Sequence, residues 1–340
     1  MFLRSVKRSL VDFVKSYRLK KFYSLSNKMV EQQSSKLVVA MIDGRMKHGG
    51  LSDRLCGIIS AYQYCVLNNV DFKLSFTYPY MLDNFLTVNE YDWRISPEKI
   101  SYNIKQSKPV YISLYSHFVD QMRAHADSIL DMKYQQIHLY SNMYYFHESE
   151  FGFYFNKLFK KTPMLDEAVE DNLKNIGREY VSVTFRFQQL LGDFKETGFT
   201  SLSSLEEKEK LISRCLDAVE KVHSIERKKV VVTSDSKTFL DIVQKKFDYV
   251  YIIPGTVVHM DYVKKDDAVA LSSHLKSFVD FFVLANADVV YLVNIGPLYS
   301  SSFAKTASMV YGKKYVEISD KPARYYEHHE RIDFNENKFK

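Results

Sequence analysis

Apolar positions divide this chain into short β-branched runs and longer stretches with helical spacing. Residues 36–43 (KLVVAMID) form a near-continuous apolar run, the pattern of a parallel strand buried on both faces. After a glycine turn, Leu51, Leu55, Ile58, Ile59, Tyr62, Cys65 and Val66 recur at helical spacing, which predicts a helix over about 52–67 with Asp53 off its stripe. The alternation continues with strands at 71–76, 109–114 and 136–141 and a helix at 117–130. Residues 161–178, with Pro163 and a charged helical run, read as a linker.

A second series opens with a strand at 180–187 (YVSVTFRF). Ser204 and Glu207 have the spacing of a capping box, and Leu211, Ile212, Cys215, Leu216, Val219 and Val222 form the stripe of the helix behind it. Strands at 229–234, 249–253, 288–293 and 314–318 then alternate with helices at 237–246, at 271–285 and from about 302. Residues 321–340 are charged and read as a helix or tail packing back. Two successive β/α series predict an α/β protein with two Rossmann-like domains facing a cleft, one over 36–160 and one over 179–320.

The first thirty residues differ in character. Leu3, Val6, Leu10, Phe13, Val14 and Tyr17 fall at helical spacing with basic residues between them. Eight Lys/Arg against one acid, Asp12, give residues 1–30 a charge of +7, so the other 310 residues carry −1 of the chain's net +6. A near-neutral body argues against general nucleic-acid binding. The basic segment has two readings: a helix lying on anionic lipid, or a helix packed on its own protein with a solvated basic face. There is no secretory pattern and no apolar run near the ~20 residues of a membrane span. Cys56, Cys65 and Cys215 form no CxxC pair, and Asn-x-Ser/Thr is absent. The expectation is therefore a cytoplasmic protein, peripheral on the inner face of the membrane if the helix binds lipid.

Candidate chemistry collects in three stretches. In residues 48–54 (HGGLSDR), Gly49 and Gly50 before a helix would expose backbone N–H groups to an anion, with Arg54 adding fixed charge; a mere turn is the alternative. Arg186 closes the strand at 180–187, where α/β folds bind ligands, and either reads a phosphate or pairs with Asp193. The run Ser300, Ser301, Ser302, with Phe303 after it, offers hydroxyls and free N–H groups at a helix start, suited to a diphosphate without metal; a plain N-cap is the alternative. Asp280 interrupts an apolar helix and is either neutralised by Lys276 or recognises a base or ribose. Asp235 follows a strand and either caps the next helix or joins the site; His48 and His259 are candidate proton acceptors. No P-loop, GxGxxG, GxSxG elbow, Asp-x-Asp pair or zinc spacing occurs, so a kinase, a dehydrogenase and a serine hydrolase lose ground.

Residues 48–55 (HGGLSDRL), Val183 to Arg186 with Gly192 and Asp193, and Phe278 to Asp280 before the serine run together resemble the GDP-fucose fucosyltransferase superfamily. That superfamily includes α1,2- and α1,6-fucosyltransferases, protein O-fucosyltransferases and bacterial capsule and lipopolysaccharide members. The resemblance spans about 36–320 and implies a GT-B glycosyltransferase whose second domain holds the donor. It implies metal-independent, inverting transfer from a GDP-sugar, with fucose as the sugar, to a glycan hydroxyl in bacterial surface polysaccharide synthesis. No cofactor beyond that donor is implied.

By the same resemblance, Arg186 grips the donor β-phosphate, Asp280 helps hold the nucleoside, and Ser301, Ser302 and Phe303 form the phosphate turn. Gly50, Asp53 and Arg54 align with the loop that closes over the donor, and Asp53 and His48 are the candidates for a general base. Thr184 stands where the family often has histidine, and Arg186 is farther from Asp193 than in the common HxRxGD form. These departures keep open a catalytically silent nucleotide-sugar or glycan-binding protein on the same scaffold.

Overall fold

The apolar runs become parallel strands, and the computed structural model describes residues 2–31, 35–46, 48–112, 133–142, 148–193, 201–256, 268–322 and 329–335. The chain divides into two units, Met1–Lys160 and Lys161–Lys340. The helix expected at 117–130 lies outside the described residues, as does His259.

In the first unit, helix α1 (Phe2–Leu25) precedes β1 (Leu37–Ile42), α2 (Leu51–Leu67), β2 (Asp71–Phe76) and the short β3 (Leu86–Val88). After these come β4 (Ser107–Ile112), β5 (Gln136–Ser141), α3 (Phe151–Leu158) and the short β6 (Phe159–Lys161). Among the described residues the sheet has four parallel strands in the order β2-β1-β5-β4. This is parallel α/β as expected, but not the strand order of a Rossmann sheet: β4, the third strand of this sheet, lies beyond β5 instead of beside β2. Every residue of β1 is buried, which explains its uninterrupted apolar run.

Two contacts fix this unit that periodicity could not show. Gly57 of α2 lies so close to β5 that a Cβ there would sit 2.1 Å from the Ser141 carbonyl oxygen. The Tyr23 hydroxyl of α1 reaches His138 Nδ1 at 2.6 Å and the Tyr140 hydroxyl at 3.1 Å, and Tyr140 donates to Asp43 at the end of β1 (3.0 Å). Burial, followed by the charge of Arg45, lowers the His138 pKa to about 3, so this buried imidazole is neutral at ordinary pH.

The second unit begins with α4 (Pro163–Ile176), β7 (Tyr180–Phe185), α5 (Leu205–Glu226), β8 (Lys229–Ser234), α6 (Lys237–Lys246) and β9 (Val250–Tyr251). It continues with α7 (Ala268–Asn286), β10 (Val289–Asn294), α8 (Ser302–Val310), β11 (Lys314–Ser319) and β12 (Glu330–Asp333). Among the described residues its sheet has six strands, β12-β11-β10-β7-β8-β9, parallel throughout. Its chain starts at β7 in the middle, runs outward to β9, and restarts at β10 on the other side of β7. That is the doubly wound order, with its topological switch between β7 and β10.

Two expectations for this half need correction. Residues 161–178 are not merely a linker: α4 buries Leu165, Val169 and Ile176, and its Asn172 accepts a 3.0 Å hydrogen bond from the Tyr251 hydroxyl. Of the two readings of residues 321–340, the helix fails where the chain is described and the tail packing back holds: it supplies β12, which pairs with β11 through Val316↔Glu330 to Ser319↔Asp333. The charged composition hid an edge strand, whose exposed side chains need not be apolar. Elsewhere the reading holds closely: the Ser204/Glu207 capping box is present, and β2, β5, β8 and α6 begin and end where the pattern put them. Among the described residues no helix is long and apolar enough to cross a membrane.

Candidate functional site

The carboxyl ends of β7, β8 and β10 converge in the second unit. Phe185 pairs with Ser234 in the parallel register, so the next residue of each strand, Arg186 and Asp235, emerge side by side. Arg186 Nη1 lies 2.9 Å from Asp235 Oδ2, the arginine side chain 23% exposed and the carboxylate 2%. The same carboxylate accepts the backbone N–H groups of Phe187 and Gln188, both at 2.7 Å, and so shapes the turn that follows the strand. Burial pushes the Asp235 carboxyl up from its usual range, while Arg186 and the two amides pull against it.

This corrects two sequence readings. The partner of Arg186 is Asp235, not Asp193, and Asp235 does not cap the next helix. Ser236 does so, accepting from the Phe239 N–H at 3.2 Å. Asp193 sits one step further out, accepting from the Ser236 hydroxyl at 2.8 Å and the Thr238 N–H at 2.7 Å. Asp193 is thereby joined to Asp235 through consecutive residues, and it braces the start of α6 rather than the arginine.

The loop between β10 and α8 joins the same place. The Tyr299 N–H donates to the Arg186 carbonyl at 3.0 Å, which ties the approach to Ser300–Ser302 directly to the end of β7. Ser301 is the N-cap of α8, its hydroxyl accepting from the Phe303 N–H at 3.3 Å, as the plain capping alternative expected. Ser300 is half-buried and Ser302 exposed. Residues the sequence reading passed over brace this loop from β11. Asp320 accepts the Gly296 N–H and pairs with Arg214 at 2.7 Å, and Lys321 reaches Asn294 Oδ1 and the Leu298 carbonyl. Burial raises the Asp320 carboxyl, but Arg214 and the Gly296 amide more than offset it and hold it below its usual range. The rule that sites gather at carboxyl strand ends, applied to β11 as it was to β7, would have found both residues.

Asp280 pairs with Lys276 one turn away on α7, the structural alternative of its two readings. Burial raises the Asp280 carboxyl and Lys276 opposes the shift. Phe281, its neighbour, packs edge-on against Phe303 of α8 with ring centroids 5.6 Å apart. Asp280 therefore stands on a helix packed against the serine turn, while its carboxylate is directed to a lysine.

The glycine loop belongs to the first unit, after β1. Gly50 does not offer its N–H outward: that N–H donates to Asp53 Oδ2 at 3.1 Å, within the capping interaction of α2. Arg54 is wholly buried, with Nε on the Gly49 carbonyl at 3.0 Å and Nη1 on the Tyr78 carbonyl at 2.9 Å. These two bonds join the loop to the chain just after β2. The signal was available, because Arg54 stands three residues after Leu51 and four before Ile58, both on the apolar stripe. His48 is buried and its Nε2 accepts the Gly44 N–H at 3.2 Å. Burial, followed by the charge of Arg54, lowers the His48 pKa to about 4, which makes it neutral but a weak base.

The two glycines differ sharply. Gly49 has φ +74°, and a Cβ there would meet Asp53 Oδ2 at 2.3 Å; at Gly50 a Cβ meets nothing within 4 Å. Gly49→Ala should therefore cost about 1–3 kcal/mol of stability, measured by urea unfolding, and Gly50→Ala roughly nothing.

No family model matches the sequence, and no curated protein does. Solved structures do. NodZ α-1,6-fucosyltransferase soaked with GDP-fucose aligns with a TM-score of 0.53 at 14% identity, over 82% of this chain and 93% of that one. Fucosyltransferase NodZ from Bradyrhizobium gives 0.54 at 14% identity, over 81% and 93%. POFUT1 in complex with GDP gives 0.48 at 11% identity, over 83% and 96%. At such identities the likeness to NodZ is one of architecture, and the chain has the parallel α/β fold of that fucosyltransferase.

Proposed function

We propose that this protein is a GT-B glycosyltransferase that moves fucose from GDP-fucose to a glycan hydroxyl, with inversion and without a metal. The observation that supports this most is the place of Arg186: a permanently charged side chain beside the switch point of a doubly wound sheet, in a chain with the fold of NodZ. NodZ has been solved with GDP and soaked with GDP-fucose. In this reading Arg186 and the amides of the serine turn hold the diphosphate, and Asp235 keeps the guanidinium aimed.

The acceptor oxygen bonds to the anomeric carbon as the bond from that carbon to the β-phosphate oxygen breaks, and its electron pair leaves with GDP. Negative charge grows on the leaving phosphate, where a fixed guanidinium and backbone donors stabilise it most. The hydroxyl proton passes to a base. Asp53 and His48, the candidate bases read from the sequence, each already accept a backbone N–H within the first unit.

The test is transfer of labelled fucose from GDP-fucose across a panel of oligosaccharides, with and without EDTA. Product that forms in EDTA supports the reading; a folded protein that binds no GDP and transfers nothing refutes it. A second reading rests on Thr184, whose hydroxyl is paired with that of Thr233 at 2.9 Å where the family often has histidine. GDP binding with no transfer to any acceptor would favour this silent nucleotide-sugar-binding protein.

A further inference from the structure

Helix α1 carries an apolar stripe that the described part of its own unit leaves uncovered. The helix meets that unit through Leu19 and Tyr23, which are 4% and 0% exposed. Tyr17 precedes Leu19 by two residues, a rotation of about 200°, and so lies on the opposite side of the helix. Phe13 stands one turn before Tyr17. Phe13 is 71% exposed, Tyr17 59% and Val14 39%. In the sequence the same spacing continues backward through Leu10, Val6 and Leu3, and the backbone is helical from Phe2. Of the two readings of this segment, packing of the stripe on the protein's own body fails for the residues described, because a different face does the packing.

Charge decides what the stripe suits. At about 100° per residue, Lys20 and Lys21 fall within about 60° of Tyr17 on either side, and Arg18 about 100° away. All three are exposed. The lone acid of residues 1–30, Asp12, falls about 140° away by spacing. A second copy of the same helix would bring eight Lys/Arg against eight more. A surface of anionic lipid offers the opposite charge together with an apolar layer at the depth that exposed aromatic side chains reach.

We propose that this face of α1 docks the protein on an anionic membrane surface, with Phe13 and Tyr17 at the boundary of headgroups and acyl chains and Arg18, Lys20 and Lys21 on lipid phosphates. Aromatic residues flanked by basic ones suit that boundary, and one helix of this kind gives reversible, salt-sensitive attachment rather than insertion.

The experiment is sedimentation of the full chain with vesicles of equal parts phosphatidylglycerol and phosphatidylcholine, beside vesicles of phosphatidylcholine alone. The protein should sediment with the first and not the second, and added salt should release it. The Phe13→Ser/Tyr17→Ser and Lys20→Glu/Lys21→Glu variants should each bind roughly tenfold or more weakly while keeping the wild-type melting temperature, since these side chains are exposed. Three results would overturn the proposal. One is a folded wild-type chain that stays in solution with anionic vesicles. Another is undiminished binding by Phe13→Ser/Tyr17→Ser. The third is a wild-type dimer that this variant turns into a monomer with vesicle binding unchanged, which would give the stripe to a second copy.

Discussion

Arg186→Ala should lower kcat/KM for fucose transfer by roughly two to three orders of magnitude, the usual scale for losing a fixed donor at a site of developing charge. Two effects have to be separated, because Arg186 also neutralises Asp235, a carboxylate only 2% exposed. Removing one partner of a buried pair costs up to about 3–5 kcal/mol. Here Asp235 keeps the Phe187 and Gln188 amides, and burial already favours its protonated form, so a smaller loss of about 1–3 kcal/mol is expected. Arg186→Lys is the discriminating variant. It keeps a cation beside Asp235 but lacks the planar fork, so the melting temperature should stay near wild type while transfer still falls by about tenfold or more. Asp235→Asn keeps one carbonyl oxygen for two backbone donors, since Phe187 donates to Oδ1 and Gln188 to Oδ2. Its NH2 leaves one N–H unmet and no longer attracts the guanidinium, so it should lower stability by about 1–3 kcal/mol and also raise KM for the donor.

Gly57→Ala is the expected large effect on the fold alone. The added methyl would stand 2.1 Å from the Ser141 carbonyl oxygen and 2.6 Å from its carbonyl carbon. Both are backbone atoms of buried β5, so no side chain can swing aside; α2 must move off the sheet. Overpacking of this kind costs typically 1–3 kcal/mol and more where backbone must shift, so about 3 kcal/mol or more is expected here. In a unit of this size that corresponds to a fall of about 6–12 °C in melting temperature. Gly50→Ala, in the same segment of chain but with open space around it, is the control and should melt with the wild type.

The contrast between these glycines marks what the sequence could and could not tell. Local patterns carried local structure: the apolar run of β1, the stripe of α2 and the Ser204/Glu207 box each report on a single element. Position at the end of β7 was also legible, because a strand run that ends in arginine can be seen within eight residues. The partner of that arginine was not. Asp235 is 49 residues away in sequence and becomes its neighbour only through the Phe185↔Ser234 register, which no local pattern encodes. Asp193 was the nearer acid in sequence and the wrong one.

Gly57 follows the same logic, since its need for a missing side chain comes from Ser141 on another element. Arg54 misled for a different reason: charge at a helix start suggests solvent, whereas its guanidinium is buried on two backbone carbonyls. β12 was hidden by composition, because three of its four residues, Glu330, Arg331 and Asp333, are charged, as an edge strand allows. The stripe on α1 was visible from the start, but its direction relative to the body was not. Only the burial of Leu19 and Tyr23 showed which face is occupied.

The most direct test of the account is thermal unfolding of the wild type and of Arg186→Ala with GDP, UDP, CDP and ADP in parallel. A ligand that binds only the native state stabilises it by about 2.7 kcal/mol at a concentration near 100 Kd, several degrees for a protein of this kind. GDP should raise the wild-type melting temperature well above the other three nucleotides, and the rise should vanish in Arg186→Ala. A folded wild-type protein whose melting temperature does not respond to GDP, or whose response to GDP survives the loss of Arg186, would contradict it.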